Sequence, residues 1–276
     1  MSQPADLDAA IARAAALLRD ADGLLIGAGA GIGVDSGLPD FRGDHGFWRA
    51  YPPLAALGIR FVEIANPGSF DAHPELAWGF YGHRLALYRD TVPHAGFAIL
   101  REIGARLPHG SFVFTSNVDG QFQRAGFDPE RLVECHGSIH HLQCTRPCRV
   151  AIWAADALAP AIDPATCLMR PPLPRCPHCG ALARPNILMF GDGRWLDART
   201  ETQYRRYADW RAGPRRLVAI EIGAGSDVPS VRQMCASQGA PLVRINPREP
   251  GVAPGKGVGI AAGALDALQR LHAALA

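Results

Sequence analysis

The chain has 276 residues, of which 48% are hydrophobic, enough apolar material for the core of one large domain and a small one. Its formal net charge of +2 and its scattered arginines argue against a nucleic-acid surface. No uninterrupted apolar run reaches about 18 residues, and residues 1–20 are charged and alanine-rich, unlike a signal peptide. We therefore expect a globular, cytoplasmic protein that binds small molecules and proteins, with neither nucleic acid nor membrane as a partner.

After a predicted opening helix over residues 7–20, short β-rich runs alternate with helix-like segments. The runs are Leu24 to Ile26, Phe112 to Phe114, Leu132 and Val133, Ile187 to Met189, Leu217 to Ile222, and Leu242 to Ile245. Continuous apolar strands that alternate with helices are typical of a parallel sheet with helices on both faces. The sequence therefore predicts an α/β fold, a doubly wound and Rossmann-like domain formed by residues 1–43, 92–140 and 185–276.

Two stretches interrupt this alternation. Residues 44–91 are aromatic and helix-like and contain no strand pattern, and residues 141–184 hold two pairs of cysteines around a proline-rich loop. We interpret the first as a helical insertion and the second as a small metal-binding module.

The cysteine spacing predicts a structural zinc site. Two close pairs are separated by 27 residues, and the four ligands are Cys144, Cys148, Cys176 and Cys179. Four thiolates satisfy tetrahedral Zn²⁺ and leave no open position for a substrate, so such a zinc ion is structural. The alternative is a chance grouping of unrelated thiols. The three remaining cysteines are expected to be small buried side chains, and they are Cys135, Cys167 and Cys235.

Small and polar residues follow most of the predicted strands. A glycine-rich turn spans residues 27–33, and the later strand ends are residues 115–120, 134–138, 223–226 and 246–247. Ligands of open α/β sheets bind outside the carboxyl ends of the strands. Any one of these segments also suits an ordinary turn, but their convergence on one edge predicts a binding site there.

Several motifs of the sequence, in the order in which they occur along the chain, resemble those of the sirtuin family of NAD-dependent protein deacylases. The resemblance extends from about Leu24 to Leu271. The matching segments are Gly29–Gly43, Thr115–Gly126, Glu134–Cys144, Cys176–Asp192, Ile222–Pro229 and Arg244–Asn246.

The resemblance implies that NAD is the co-substrate. The implied cofactor-binding residues are Gly29, Ala30, Gly31, Ile32, Asp40, Phe41, Arg42, Ser116, Asn117, Val118, Asp119, Gly223, Ala224, Gly225, Ser226 and Asn246. Within this set, Val118 and Asp119 match the pair that holds the nicotinamide amide, and Asn117 matches the asparagine near the ribose.

The resemblance also implies catalytic and substrate residues. His136 matches the catalytic base and acts with Asn117, and an acylated-lysine protein or peptide is the implied substrate. Leu188, Phe190 and Gly191 match the segment that pairs with this peptide. Tyr81 and Arg84 resemble the Tyr-x-x-Arg signature of sirtuins that accept succinyl- or malonyl-lysine. The alternative for this last pair is an aromatic helix packed on the core, with the arginine at the surface.

Ser116 departs from the family pattern, because many sirtuins have glutamine at this position. Loss of a long amide near the ribose leaves ADP-ribosyl transfer or NAD hydrolysis open as alternatives to deacylation. A third alternative is a non-catalytic nucleotide-sensing module, and retention of His136, Asn117 and Asp119 counts against it.

Overall fold

A computed structural model describes residues 4–40 and 43–276 and has a six-stranded parallel sheet at its centre. The strands are β1 (Gly23–Ala28), β2 (Ser111–Thr115), β3 (Leu132–Glu134), β4 (Gly137–Cys144), β5 (Ile152–Ala154), β6 (Ile162–Asp163), β7 (Leu168–Met169), β8 (Ala183–Ile187), β9 (Leu217–Ile222), β10 (Leu242–Ile245) and β11 (Gly257–Ile260). The α-helices are α1 (Pro4–Arg19), α2 (Gly43–Ala50), α3 (Pro52–Ala56), α4 (Phe61–Ile64), α5 (Gly68–Ala72), α6 (Pro74–Asp90), α7 (Ala95–Ala105), α8 (Gln121–Arg124), α9 (Ala198–Arg211), α10 (Ser230–Ala236) and α11 (Ala264–Leu275). Two 3₁₀ helices complete these elements, at Ala30–Ser36 and Pro129–Arg131.

The central sheet has the strand order β3-β2-β1-β9-β10-β11, with every pair parallel. Strands β2 and β3 extend the sheet on one side of β1, and the later strands β9, β10 and β11 extend it on the other side, as in a Rossmann fold. The predicted doubly wound sheet is confirmed. Strand β11 was not predicted, because its sequence alternates glycine with valine and isoleucine and lacks a continuous apolar run.

Helices cover both faces of this sheet. On one face the core combines α1, α7 and α11 with side chains of alternate strand positions, such as Leu24 and Ile26. On the other face, residues of α9 and α10 pack on Leu25, Phe112 and Phe114. Within the described ranges, no helix combines the length and apolar character needed to cross a membrane.

The prediction of a parallel strand at Ile187 to Met189 is wrong. The strand there is β8, which ends at Ile187 and lies in a separate three-stranded sheet of order β5-β4-β8. β8 pairs antiparallel with β4, opposing Ile187 to Gly137 and Ala183 to Cys144. An apolar run does not reveal its pairing partner, so the sequence could not distinguish the two sheets.

The two stretches that interrupt the α/β alternation pack against each other. Aromatic and aliphatic residues of α2 to α6 share one hydrophobic core with Ile139, Leu142 and Ile187 of the three-stranded sheet. Helix α6 approaches the β7 segment so closely that a Cβ atom on Gly79 would lie 1.7 Å from the carbonyl oxygen of Cys167. Only glycine fits at this contact, which places α6 directly over the cysteine-bearing module.

Two glycine-containing loops meet where the strand order reverses. The backbone N–H of Gly31, after β1, donates to the carbonyl of Gly223, after β9, over 3.0 Å. Gly223 has a φ of +62°, and a Cβ atom on it would lie 2.4 Å from the carbonyl carbon of Gly31. The two loops can therefore touch only as bare backbone.

Replacement of Gly223 by alanine should weaken the fold strongly. The left-handed backbone and the backbone clash together should lower the free energy of unfolding by at least about 2 kcal/mol, measured by denaturant titration. Gly225→Ala is the matched control, because a Cβ atom added there would meet nothing within 4 Å and its φ is not positive. Equal stability of the two variants would contradict a steric role for Gly223.

Candidate functional site

A cavity of about 580 Å³ opens at the carboxyl edge of the central sheet, beside the meeting point of the β1 and β9 loops. Sixteen of the residues predicted for cofactor, catalysis or substrate line it. They are Gly29, Ala30, Asp40, Tyr81, Arg84, Ser116, Asn117, Val118, Asp119, His136, Leu188, Phe190, Gly191, Gly223, Ala224 and Gly225. The segments that follow β1, β2, β3 and β9 of the central sheet, and the segment that follows β8, therefore all line the same cavity.

Four predicted cofactor residues do not line this cavity. Gly31 is engaged with Gly223, and Ile32 is buried in the core beneath the turn. Asn246 is fully buried and donates through Nδ2 to the carbonyl of Ala224 over 3.0 Å, while Ser226 hydrogen-bonds the exposed Glu249. Two further predicted residues lie outside the described residues, and they are Phe41 and Arg42.

Asn117 is held in place by groups at the ends of β1 and β2. Its Nδ2 donates to the carbonyl of Gly29 over 3.2 Å, and its backbone N–H donates to Oγ1 of Thr115 over 3.0 Å. Thr115 in turn donates to the carbonyl of Ala28. The loops after β1 and β2 are thus tied together, and the orientation of the Asn117 amide is fixed.

Asp119 is a buried carboxyl group in the wall of the cavity. One carboxylate oxygen accepts the backbone N–H of Gln121 over 2.9 Å, and its backbone carbonyl faces Nε2 of His140 at 2.9 Å. Burial raises the pKa of Asp119 to about 6, although the guanidinium of Arg84 acts in the opposite direction. The carboxylate at neutral pH is therefore poorly solvated and suited to accept N–H donors from a ligand.

His136 follows β3 and lines the cavity with a partly buried imidazole. Burial lowers its pKa, so the ring is neutral at pH 7 and can accept a proton. Its Nε2 lies 3.2 Å from the hydroxyl of Ser230, a residue that the sequence did not single out. The His136 carbonyl accepts the backbone N–H of Leu188 over 3.0 Å, which joins the base to the segment after β8.

The segment after β8 presents apolar side chains at the cavity mouth. Leu188 and Phe190 are 38% and 41% exposed, although both are large and hydrophobic. Asn66 Nδ2 donates to the carbonyl of Phe190 over 3.0 Å. A buried ion pair between Arg184 and Asp192, at 2.7 Å, holds the two ends of this segment together. The exposed backbone and apolar side chains are thus set on a rigid support.

Helix α6 supplies the wall formed by Tyr81 and Arg84. Both residues line the cavity and are buried, so the alternative in which Arg84 lies at the surface is wrong. Nε and Nη2 of Arg84 donate to the phenol oxygen of Tyr88 over 2.9 and 2.8 Å. The guanidinium also lies 5.2 to 5.8 Å from three aromatic ring centres, those of Phe80, Tyr81 and Tyr88. Tyr88 escaped the sequence prediction, since its role depends on contacts one turn along the helix.

The four predicted metal-binding cysteines form one cluster. Their sulfurs all lie within 4.8 Å of one another, with Cys144 to Cys179 at 3.6 Å and Cys148 to Cys176 at 3.7 Å. Tetrahedral zinc with Zn–S bonds of about 2.3 Å requires S···S separations of roughly 3.8 Å. These separations are too long for disulfides, and the set fits a structural zinc ion. The other three cysteines are buried, as predicted.

Comparison with known proteins places this geometry in a family. The model of the Sir2 family matches residues 29–209. The chain belongs to the Sir2 family. A protein of Aquifex aeolicus named NAD-dependent protein deacylase is 29% identical over 221 residues, which cover 80% of this chain and 82% of that protein. A protein of the same name from Thermus thermophilus is 30% identical over 264 residues, covering 92% and 91%.

A solved structure shows the same architecture. It is described as a crystal structure of a Sir2 homolog in complex with NAD, is 25% identical, and has a TM-score of 0.71 over 95% of this chain and 92% of that chain. The Sir2-family assignment agrees with the sheet order and the cysteine cluster described above.

Removal of one cysteine from this Sir2-family protein should release its metal. Cys176→Ser should reduce the zinc content of the purified protein by about one equivalent per chain and lower its unfolding temperature, because metal binding contributes to folding. Zinc is measured by atomic emission. Cys135→Ala, which alters a buried cysteine outside the cluster, should retain the metal, and equal zinc in both variants would refute the four-cysteine site.

Asp119 should make the stability of this Sir2-family fold pH-dependent. Its pKa is raised from 3.8 to about 6, so ionisation of the carboxyl group disfavours the folded state as the pH rises through this range. As the pH rises from about 4 to about 7, the free energy of unfolding of Asp119→Asn should therefore increase by up to about 3 kcal/mol relative to that of wild type.

Denaturant titrations at several pH values measure this difference. Asp22→Asn is a control of opposite sign. Burial alone would raise the pKa of Asp22, but the backbone N–H groups of Arg215 and Arg216 lower it, so this variant should lose stability relative to wild type as the pH rises. A pH-independent difference for Asp119→Asn would contradict the buried-carboxyl interpretation.

Proposed function

We propose that the chain is an NAD-dependent protein lysine deacylase, which releases nicotinamide and transfers the acyl group to ADP-ribose. The observation that carries this proposal is the convergence of His136, Asn117 and Asp119 on one cavity whose mouth is formed by Leu188 and Phe190. Relatives with the deacylase name, and a solved relative bound to NAD, support the same conclusion.

NAD is proposed to bind across the meeting point of the β1 and β9 loops. Ala30 and the Gly223–Gly225 segment offer backbone with little side-chain bulk, so phosphates can approach the N–H groups closely. Asn246 is proposed to act indirectly: its Nδ2 holds the carbonyl of Ala224, and its Oδ1 accepts the backbone N–H of Arg248 and of the following residue. These hydrogen bonds stabilise the conformation of the loop after β9, which is proposed to contact the adenosine half of NAD.

The nicotinamide end is proposed to lie against Val118 and Asp119. The poorly solvated Asp119 carboxylate accepts N–H donors from the amide, and Asn117 lies beside it with a fixed amide orientation. Breaking the nicotinamide–ribose bond develops positive charge on the sugar, and a water-poor cavity with oriented dipoles stabilises that charge.

His136 is proposed to be the general base. The acyl oxygen of the substrate lysine first displaces nicotinamide from the ribose. His136 then accepts a proton from a ribose hydroxyl, and the hydroxyl oxygen of the ribose attacks the acyl carbon. Its neutral state at pH 7 follows from burial. The backbone link from His136 to Leu188 sets the base beside the segment proposed to pair with the peptide.

The acyl group is proposed to extend toward α6, where Tyr81 and Arg84 line the cavity. A phenol and a guanidinium together can hold a carboxylate, so we propose that succinyl- and malonyl-lysine are accepted as well as acetyl-lysine. Tyr88 supports this function, since its oxygen accepts two N–H groups of Arg84 and fixes the plane of the guanidinium.

An acylated protein or peptide is therefore the proposed partner. The cytoplasmic location and the absence of nucleic-acid and membrane partners stay predictions of the sequence. ADP-ribosyl transfer and NAD hydrolysis are outcomes that the following experiment distinguishes.

The purified protein is incubated with NAD and matched peptides that carry acetyl-, succinyl- or malonyl-lysine at the same position. Nicotinamide and free-lysine peptide should form in equal amounts, and His136→Ala should abolish formation of free-lysine peptide and limit nicotinamide release to about one equivalent per chain. His272→Ala, which alters a half-buried histidine of α11 outside the cavity, should behave as wild type. Nicotinamide release without peptide would favour NAD hydrolysis, and ADP-ribose attached to protein would favour ADP-ribosyl transfer.

The same assay tests the acyl-binding wall. Tyr81→Phe removes one hydroxyl and should lower the ratio of kcat/KM for succinyl over acetyl peptide by about tenfold or more, because a hydrogen bond to a charged group is lost. Tyr204→Phe on α9 is the control. An unchanged ratio would contradict carboxylate binding by Tyr81.

A further inference from the structure

One of the acidic side chains that line the cavity has no partner among the described residues. Four aspartates line the cavity, and they are Asp40, Asp119, Asp192 and Asp227. The carboxylates of the first three have partners, which are Arg248, the backbone N–H of Gln121, and Arg184, respectively. Asp227 is exposed, and none of the described residues forms an ion pair or a hydrogen bond with its carboxylate. This carboxylate is therefore available to a cationic group of a ligand.

Asp227 lies beside an exposed apolar side chain. Val228 is 46% exposed, although it is hydrophobic, and it also lines the cavity. The exposed Leu188 and Phe190 line the same cavity from the segment after β8. Apolar side chains left in contact with water around one cavity are typical of a surface that binds another molecule. The carboxylate of Asp227 therefore belongs to the surface on which the proposed peptide substrate lies.

Hydrogen bonds on both sides fix the segment that carries Asp227. The carbonyl of Ala224 accepts two N–H groups of the Arg232 side chain, which belongs to α10. Oγ of Ser226 lies 3.3 Å from the carboxylate of Glu249, and α10 begins three residues after Asp227. A backbone that is fixed before binding loses little conformational entropy when a partner arrives. The segment thus presents the carboxylate from a rigid support.

The charge of the whole protein favours the opposite kind of peptide. The formal net charge is +2, which attracts acidic peptides at long range. Among the described residues that line the cavity, Arg84 is the one arginine, and it is buried against Tyr88. A preference for basic peptides would therefore have to come from a group close to the peptide, and Asp227 is such a group.

We propose that Asp227 is a specificity-determining residue, whose carboxylate selects peptides that carry arginine or lysine within two residues of the acylated lysine. An extended chain advances about 3.3 Å per residue, so these neighbours lie within about 7 Å of the acyl-lysine and stay near the cavity mouth. The inference rests on the proposed function, because an acylated peptide has to occupy the cavity. It narrows the proposed substrate to acylated lysines in a basic sequence.

The first test measures the binding of fluorescent peptides to the free protein by anisotropy. Each peptide contains one acetyl-lysine and carries arginine or glutamate in turn at each of the two positions on either side. At one or more of these positions, Kd should be about fivefold lower with arginine than with glutamate, the effect expected of an exposed ion pair. The same exchange at a position far from the acetyl-lysine should change Kd little. High salt should reduce the difference, because it screens exposed charges.

Variants assign the preference to one side chain. Asp227→Asn should abolish the difference between the arginine and glutamate peptides, and Asp227→Arg should reverse it. Asp209→Asn is the matched control, because it removes one negative charge from an exposed site on α9, outside the cavity, and should keep the wild-type preference. Both asparagine variants change the net charge equally, so a general effect of charge would appear in both.

Equal Kd values of wild type for the arginine and glutamate peptides would overturn the proposal. A preference that persists in Asp227→Asn, or failure of every peptide to bind, would do the same. The values of kcat/KM for deacylation should follow the same order of peptides. If the charge preference is present but no free-lysine peptide forms, the proposed function fails, and the role of Asp227 in peptide binding stands.

Discussion

The reversal of strand order between β1 and β9 is the constraint on which the rest of the molecule depends. Neighbouring strands send their connections to opposite faces of the sheet there, and a crevice opens at the carboxyl edge. The crevice keeps its shape because Gly31 and Gly223 touch as bare backbone. Asn117 and His136 then enter from the ends of β2 and β3. The position of the site thus follows from the order of the strands, and the backbone contact between the β1 and β9 loops stabilises it.

Much of this arrangement could be predicted from local sequence. Buried parallel strands are continuous apolar runs, and small or polar residues at their carboxyl ends identify the site edge. Two errors show the limits of the pattern. β11, at Gly257–Ile260, pairs as a strand although half its residues are glycine, and Ile187 to Met189 looks like a parallel strand although only Ile187 belongs to β8, which is antiparallel. Pairing depends on distant partners, which local hydrophobicity does not encode.

The sequence also could not predict which residues contact the side chains of the candidate site. Ser230 and Tyr88 belong to helices whose sequences give no sign of a site, and only folding brings their hydroxyls to His136 and Arg84. Conversely, Asn246 lies in a matching motif but holds a loop and does not face the cavity. A motif identifies which residues belong to a site, and only the packing shows which of them touch the ligand.

The cysteine cluster is connected to the site through the strand pair β4 and β8. Strand β4 ends at the ligand Cys144, and its first residue, Gly137, directly follows His136. β8 pairs with β4 from Ala183, opposite Cys144, to Ile187, opposite Gly137, with a register shift between Ser138 and Leu142 of β4. The next residue, Leu188, then donates to the His136 carbonyl at the cavity mouth. The strand pair therefore connects the cysteine cluster to the cavity mouth, although four thiolates would leave a zinc ion no open coordination position for a ligand.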